Sequence, residues 1–237
     1  MRELRSKALD LPPPMGLEFI FSKPKTRIFA EVKKSSPSEG VLKLIDASYQ
    51  ARLYEKAGAV AISVLTEREY FSGSIEDLEN VKKVVGLPVL RKDFIVDVGE
   101  VYESRIAGAD GILLIAGAVP EDKLKELYQI SIELGMWVLL EVFEEKDLQT
   151  ALDLKPLVLG INHRNLRTLE IDLSKCLRLC PVVKSAGVRW VVAESGISKR
   201  AQIQELESSG VDAFLIGSSL MKSPDPFKSL MELRGVV

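Results

Sequence analysis

Gly108-Ala109-Asp110-Gly111-Ile112 is the stretch that decides the fold, because the chain contains two similar copies of it. These copies are Gly58-Ala59-Val60-Ala61-Ile62 and Gly210-Val211-Asp212-Ala213-Phe214. Each begins with a glycine, which commonly ends a helix, and continues into an apolar run of the kind that forms strands. The same helix end, turn and strand start at three places predicts a chain in which helices and strands alternate.

Eight short apolar runs, separated by longer amphipathic stretches, extend this pattern over most of the chain. They are Ile28–Val32, Val60–Leu65, Pro88–Leu90, Gly111–Ile115, Trp137–Val142, Leu157–Ile161, Trp190–Ala193 and Ala213–Ile216. Each run is too short for a typical helix and rich in Val, Ile and Leu, which is typical of buried parallel strands. Eight such strands predict an α/β chain folded as a single (β/α)₈ TIM barrel. An open doubly wound sheet is the alternative, but no G-x-G-x-x-G follows the first run.

Helices are expected between the strands, for example over Ala47–Ala57 and Leu124–Leu134. Their predicted N-terminal caps are Asp46, Ser74, Ser198 and Asp225, the last followed by Pro226. Cys176 and Cys180 are expected to pack on a helix that ends at Pro181.

The first 26 residues lack the alternating pattern, and Pro12-Pro13-Pro14 interrupts any helix there. We therefore predict two parts. Residues 1–26 form a lead-in that packs against one end of the barrel, and residues 27–237 form the catalytic barrel.

Composition excludes several classes of protein. The 237 residues approach the roughly 250 of a one-domain barrel. A net charge of −2 gives no basic field for nucleic acid or a membrane surface, and two cysteines rule out a disulfide scaffold. No signal peptide or 18-residue apolar run is visible. We expect a cytoplasmic monomer, with a weak homodimer as the alternative, and no nucleic-acid or membrane partner.

Polar residues collect where the predicted strands end, which is where (β/α)₈ barrels carry their chemistry. Glu31 and Lys33 are two residues apart, so both side chains can point into the barrel mouth, and Asn162 and Arg164 repeat this spacing. The other strand-end residues are Thr66, Glu67, Lys92, Asp93, Glu141, Glu194, Ser195, Gly217 and Ser218. The alternative interpretation is a network of ion pairs that plugs the barrel.

The last two strands end in glycine and serine, as Glu194-Ser195-Gly196 and Gly217-Ser218. Barrels commonly bind phosphate at these two strand ends, where backbone N–H groups can face an anion. The sequence therefore predicts a phosphorylated small-molecule substrate.

Lys92 and Glu141 are the predicted acid–base pair. Neighbouring cations such as Lys33 are expected to lower the pKa of Lys92 towards neutrality. Which of the two is the acid stays open, and so does a Schiff-base role for Lys92. The single histidine, His163, is out of phase with Asn162 and Arg164 and is expected to lie behind the site. No metal-binding cluster is visible, and no cofactor is expected.

The motifs together resemble the indole-3-glycerol phosphate synthase family of tryptophan biosynthesis. The matching segments are 30–38 (AEVKKSSPS), 63–67 (SVLTE) with 70–73 (YFSG), 90–94 (LRKDF), 140–142 (LEV), 160–166 (GINHRNL), 193–197 (AESGI) and 217–221 (GSSLM). The resemblance implies a cofactor-free carboxy-lyase. It would cyclise 1-(2-carboxyphenylamino)-1-deoxyribulose 5-phosphate to indole-3-glycerol phosphate, releasing carbon dioxide and water.

The resemblance also implies roles for the strand-end residues. Lys92 resembles the general acid, Glu141 the second proton-transfer group, and Lys33 the partner of the substrate carboxylate. Orienting groups would be Glu31, Asn162 and Arg164, and the substrate and phosphate contacts would be Glu194, Ser195, Gly196, Gly217, Ser218, Phe71 and Phe94.

Two departures and two alternatives accompany the resemblance. The N-terminal extension is shorter than is usual in the family, and His163 stands where a smaller polar residue is usual. A neighbouring isomerase of the same pathway would need a Cys/Asp pair at strands 1 and 5, where this chain has Glu31, Lys33 and Glu141. A phosphometabolite-binding barrel without activity would not need Lys92 or Glu141.

Overall fold

Eight parallel strands close into a barrel in the computed structural model, which describes residues 1–24, 26–37, 40–42 and 45–237. Ser38, the end of the family-like segment 30–38, lies outside the described residues. The barrel strands are β1 Arg27–Val32, β2 Ala61–Leu65, β3 Val89–Lys92, β4 Gly111–Ile115, β5 Trp137–Val142, β6 Val158–Asn162, β7 Trp190–Glu194 and β8 Ala213–Ile216. Each strand pairs with its neighbours in the sequence, and β8 pairs with β1. The predicted barrel is confirmed, and the open sheet is excluded.

Helices connect the strands on the outside of the barrel. They are α1 Arg2–Leu9, α2 Leu17–Phe21, α3 Ala47–Lys56, α4 Ile75–Lys82, α5 Val98–Ile106, α6 Glu121–Glu133, α7 Leu148–Asp153, α8 Ser174–Ser185, α9 Arg200–Ser208, α10 Ser218–Lys222 and α11 Pro226–Arg234. A 3₁₀ turn, Glu145–Asp147, precedes α7, and the two-residue strands Ser35–Ser36 and Gly40–Val41 form a small antiparallel pair after β1.

Three of the four predicted caps are confirmed. Asp46, Ser74 and Asp225 each accept the backbone N–H three residues further along. The prediction that Ser198 is a cap is wrong. The backbone N–H groups of Ser198 and Lys199 both donate to Oε1 of Gln202, so a side chain inside α9 caps this end.

Helix α8 continues past Pro181 to Ser185, contrary to the prediction that it ends there. Its apolar face is buried on both sides of the proline, through Cys176, Cys180 and Val183. This packing outweighs the one hydrogen bond that proline cannot donate.

Two of the three repeated units contain an aspartate with the same structural role. The carboxylate of Asp110 accepts the backbone N–H of Val89, at the start of β3, at 2.8 Å. It also pairs with Lys82 at the end of α4, the helix that leads into β3. Asp212 does the same with Val191, at 2.7 Å, and Lys184. Each aspartate thus fixes the start of the neighbouring strand and ties a helix to it.

Residues 15–21 cover the end of the barrel where the strands begin. Met15 donates its amide to Asp110 at 2.8 Å and accepts the indole N–H of Trp137 at 3.1 Å. Phe21 stacks on Trp190 with ring centroids 4.2 Å apart. Both tryptophans therefore lie at the N-terminal end of the barrel, and the opposite end carries the polar residues. Among the helices of the described residues, none has both the length and the apolar character that crossing a membrane requires.

Candidate active site

A cavity of about 650 Å³ opens at the C-terminal end of the barrel. Twelve of the thirteen predicted site residues line it: Glu31, Lys33, Phe71, Lys92, Phe94, Glu141, Asn162, Arg164, Ser195, Gly196, Gly217 and Ser218. The thirteenth, Glu194, lies beneath it against Lys92. Ion pairs are present, but they form the floor of an open cavity and do not plug the barrel.

Lys92 is at the centre of this floor. Its Nζ lies 3.1 Å from Oε2 of Glu194 and 3.3 Å from Oε2 of Glu141. The other oxygen of Glu141 accepts the amide N–H of Asn162 at 2.9 Å. Both carboxylates are almost fully buried, with 1% of each side chain exposed, whereas 15% of Lys92 is exposed. The ammonium group is therefore the part of this cluster that can reach a bound molecule.

The charges around Lys92 differ from the prediction. Burial by itself lowers the pKa of Lys92, but the negative charges of Glu194, Glu141 and Glu31 outweigh burial and raise the pKa above its ordinary value. The prediction that Lys33 lowers the pKa of Lys92 is wrong, because the charges nearest to Lys92 are carboxylates and Lys33 is itself paired. Burial raises the pKa of Glu194 to about 8, with Lys92 opposing the rise and Glu141 adding to it.

Glu31 and Lys33 form a second pair, and both line the cavity at the barrel mouth, as their two-residue spacing predicts. Nζ of Lys33 is 2.9 Å from Oε1 of Glu31 and donates to Oγ of Ser218 at 3.1 Å. A Cβ at Gly217 would overlap the Glu31 carboxylate, so a glycine is needed where β8 ends. Lys33 thus links the strand ends β1 and β8.

The ends of β7 and β8 lie side by side on the cavity wall. Ser195 and Gly196 both have left-handed backbone conformations, with φ of 67° and 76°. Ser219 donates its hydroxyl to the carbonyl of Ile197 at 2.9 Å and so joins the two strand ends. The structure brings the predicted phosphate-binding residues together in one place.

Asn162 is held in place by a buried lysine that the sequence did not single out. Lys175 on α8 is buried and donates to the carbonyls of Phe143, at 2.8 Å, and Asn162, at 2.7 Å. Oδ1 of Asn162 accepts the amide N–H of Arg164 at 2.9 Å. The only sequence feature that points to these two hydrogen bonds is a lysine among the apolar positions of the helix.

The aromatic wall consists of Phe71 and Phe94, whose ring centroids are 6.4 Å apart. Glu67 organises the loop that carries Phe71. Its carboxylate accepts the backbone N–H groups of Glu69, Tyr70 and Phe71 at 2.7–3.1 Å. The sequence predicts Glu67 at a strand end but does not indicate these three hydrogen bonds.

Among the described residues, no group of three or more His, Cys, Asp or Glu side chains is arranged to hold a metal ion. His163 is fully buried behind the β7 end, as its position in the sequence predicts.

Comparisons with known proteins agree on one family. The family model described as indole-3-glycerol phosphate synthase matches residues 17–233. A protein of Aquifex aeolicus with that name is 51% identical over 210 residues, which are 89% of this chain and 82% of the relative. One of Carboxydothermus hydrogenoformans is 45% identical over 235 residues, 97% of this chain and 89% of the relative.

A solved structure adds a likeness of fold alone. Thiamine phosphate pyrophosphorylase from Pyrococcus furiosus superposes with a TM-score of 0.65 at 19% identity, over 89% of this chain and 94% of that one.

Proposed function

The chain belongs to the indole-3-glycerol phosphate synthase family, whose members are carboxy-lyases of tryptophan biosynthesis, and from this premise we propose how its residues carry out the reaction. The substrate, 1-(2-carboxyphenylamino)-1-deoxyribulose 5-phosphate, forms a carbon–carbon bond between the ring carbon that bears the carboxylate and the ketone carbon. Loss of carbon dioxide restores the aromatic ring, and loss of the former ketone oxygen as water completes the indole. The products are indole-3-glycerol phosphate, carbon dioxide and water.

Lys92 is the general acid that protonates the ketone oxygen as the ring carbon attacks. Its raised pKa keeps it charged in the resting site, so it holds a proton to give. Carboxylates that stabilise the ammonium ion also oppose release of the proton. Burial raises the pKa of Glu194, so its carboxylate is itself easier to protonate than an exposed one and opposes proton release from Lys92 less strongly. We therefore assign Glu194 to tuning Lys92 and not to contacting phosphate, where a carboxylate would repel the ligand.

Glu141 is the second proton-transfer group. Its contacts to Lys92 and Asn162 occupy one oxygen each and fix the carboxylate at the cavity floor. From there it accepts a proton from the substrate during dehydration. General acid–base steps of this kind contribute about 10²–10⁴-fold to a rate.

Substrate orientation falls to the groups around this pair. Lys33 supplies the positive charge for the substrate carboxylate, and Glu31 fixes the position of Lys33. Asn162 and Arg164 orient the sugar chain and the catalytic groups. The phosphate binds between the β7 and β8 ends, at Ser195, Gly196, Gly217 and Ser218, while Phe71 and Phe94 enclose the aromatic ring.

We also propose that residues 1–26 serve as the lead-in that closes the N-terminal end and residues 27–237 as the catalytic domain. The chain acts on its phosphorylated substrate as a monomer in the cytoplasm. The pathway's isomerase is not supported, because both cysteines lie buried on α8, away from the cavity.

The observation that carries the proposal is the Lys92 ammonium group held between two buried carboxylates at the floor of a cavity of about 650 Å³. The test is to add the carboxyphenylamino substrate and follow indole fluorescence together with carbon dioxide release. Equal amounts of indole-3-glycerol phosphate and carbon dioxide are expected. Tight substrate binding with no product would leave a binding protein and refute the proposed reaction.

A further inference from the structure

His163 joins the β6 end to the β7 end. It follows Asn162, is fully buried, and donates its backbone amide to the carbonyl of Glu194 at 2.9 Å. Its ring nitrogen Nδ1 lies 2.9 Å from the carbonyl oxygen of Ser195. The side chain does not line the cavity, but the residue that it contacts does.

The partner fixes the tautomer of the ring. A carbonyl oxygen only accepts, so Nδ1 must carry the hydrogen. Burial lowers the pKa of His163, and the positive charge of Lys175 adds to this effect. The Ser195 carbonyl and Asp172 oppose it without reversing it, so the neutral form of the ring is favoured. Nε2 is then an unprotonated acceptor, and it has no partner in the described part of the chain. The hydrogen-bonding capacity of this buried ring is thus directed at one atom, the Ser195 oxygen.

The Ser195–Gly196 turn needs such support. Ser195 has φ of 67°, a left-handed conformation that residues with a Cβ atom rarely adopt. In a trans peptide the carbonyl and the following N–H point in opposite directions. A hydrogen bond that draws the Ser195 carbonyl towards buried His163 therefore turns the Gly196 N–H the other way, towards the cavity that Gly196 lines.

We propose that His163 is a positioning residue that holds the Ser195–Gly196 peptide so that the Gly196 N–H binds the phosphate of the substrate. This inference rests on the phosphate site proposed above. It gives a role in substrate affinity to a residue that touches neither the substrate nor the Lys92 cluster.

Two similar substitutions separate this role from mere packing. His163→Asn keeps an N–H donor at the position of Nδ1, whereas His163→Gln moves the donor to the position of Nε2. The readouts are the Kd for inorganic phosphate, the substrate KM and kcat, and the thermal midpoint without ligand. His163→Gln should raise the phosphate Kd and the substrate KM about tenfold, while kcat stays within about threefold of the parent value. In His163→Asn the phosphate Kd, KM and kcat should all stay within about threefold of the parent values.

Rescue provides a second arm. Glycine adopts φ near 67° without help, so His163→Gln should cost much less phosphate affinity when it is made in Ser195→Gly than when it is made in the parent. Equal phosphate affinity in His163→Gln and the parent would overturn the proposal. So would equal losses in the Asn and Gln variants, or a loss confined to kcat.

The parent protein gives a test that does not depend on a variant folding. Its sequence has one histidine, so the ring ¹⁵N signals of histidine-labelled protein belong to His163 alone. We expect the Nδ1–H tautomer and a shift of these signals when inorganic phosphate is added. The Nε2–H tautomer, or signals that ignore saturating phosphate, would refute the proposal. Absence of product in the turnover assay would instead refute the proposed reaction, while phosphate titration would still test His163.

Discussion

Nζ of Lys92 lies 3.1 Å from Oε2 of Glu194, although 102 residues separate them in the chain. β3 and β7 are opposite each other in the eight-stranded barrel, so this ion pair crosses the barrel mouth. Glu141, at the end of β5, reaches the same ammonium group from between them. Lys92 and the two carboxylates that contact it therefore come from three separate quarters of the chain.

Lys92→Arg should bind substrate with nearly parental affinity and lose at least 10²-fold in kcat, about the contribution of one acid–base step. Arginine keeps the positive charge between the two carboxylates, but it stays protonated at all relevant pH values. Steady-state kinetics and a substrate Kd check this. Borohydride added with substrate should leave the parent protein unlabelled, since no Schiff base forms. Near-parental kcat, or a trapped adduct on Lys92, would contradict the general-acid role.

Glu141→Gln should lower kcat about 10²–10⁴-fold with little change in KM. The amide keeps the size of the side chain but removes the group that accepts a proton. Glu145→Gln, an exposed carboxylate shortly after β5, is the matched control and should retain parental kcat. A loss of less than about tenfold would remove Glu141 from the proton-transfer steps.

Gly160→Ala should damage catalysis from a position that has no functional group. A Cβ there would overlap Oε1 of buried Glu194 and displace the carboxylate that pairs with Lys92. We expect kcat to fall at least tenfold and stability by about 1–3 kcal/mol, as for other overpacked sites. Gly86→Ala is the control, because its added Cβ would meet only Glu55, at 3.5 Å. Parental kcat in Gly160→Ala would show that the position of Glu194 is unimportant.

Inorganic phosphate should stabilise the protein. At 100 times Kd the gain is about 2.7 kcal/mol, or about 5–10 °C in thermal midpoint. Ser218→Asp should abolish the shift, because the new carboxylate would occupy Lys33 and repel phosphate. Ser6→Asp, on exposed α1, should respond as the parent does. If Ser218→Asp still shows the full shift, phosphate binds elsewhere.

Glu194 should make stability depend on pH. Its pKa rises from 4.5 to about 8 in the folded protein, so the folded state binds the extra proton between these values. Its contribution is fully present below about pH 4.5 and is lost as the pH rises through about 8. Urea unfolding should therefore show a shallower decline from pH 5 to pH 8 in Glu194→Gln than in the parent. Identical slopes would mean that Glu194 is ionised throughout.

The strand pattern was readable because it is local. Alternating short apolar runs and glycine-ended helices placed all eight strands, and the spacing of Glu31 and Lys33 placed both in the barrel mouth. The errors at Ser198 and Pro181 arose where a competing contact outweighed the local signal. Gln202 took over the cap, and buried packing carried α8 through the proline.

Phe71 and Phe94 were predicted only from the family resemblance. The sequence pattern by itself determined the barrel, the edge at which its polar residues meet and ten of the predicted site residues that line the cavity. Those features follow from side-chain periodicity and turn chemistry, which act over a few residues. Only the tertiary structure decided which charges face each other. Closure of the barrel brings Glu141 and Glu194 to Lys92, pairs Lys33 with Glu31, and sets His163 behind Ser195. A pKa depends on distances between atoms far apart in the chain, so the raised pKa of Lys92 could not be read from its neighbours in sequence.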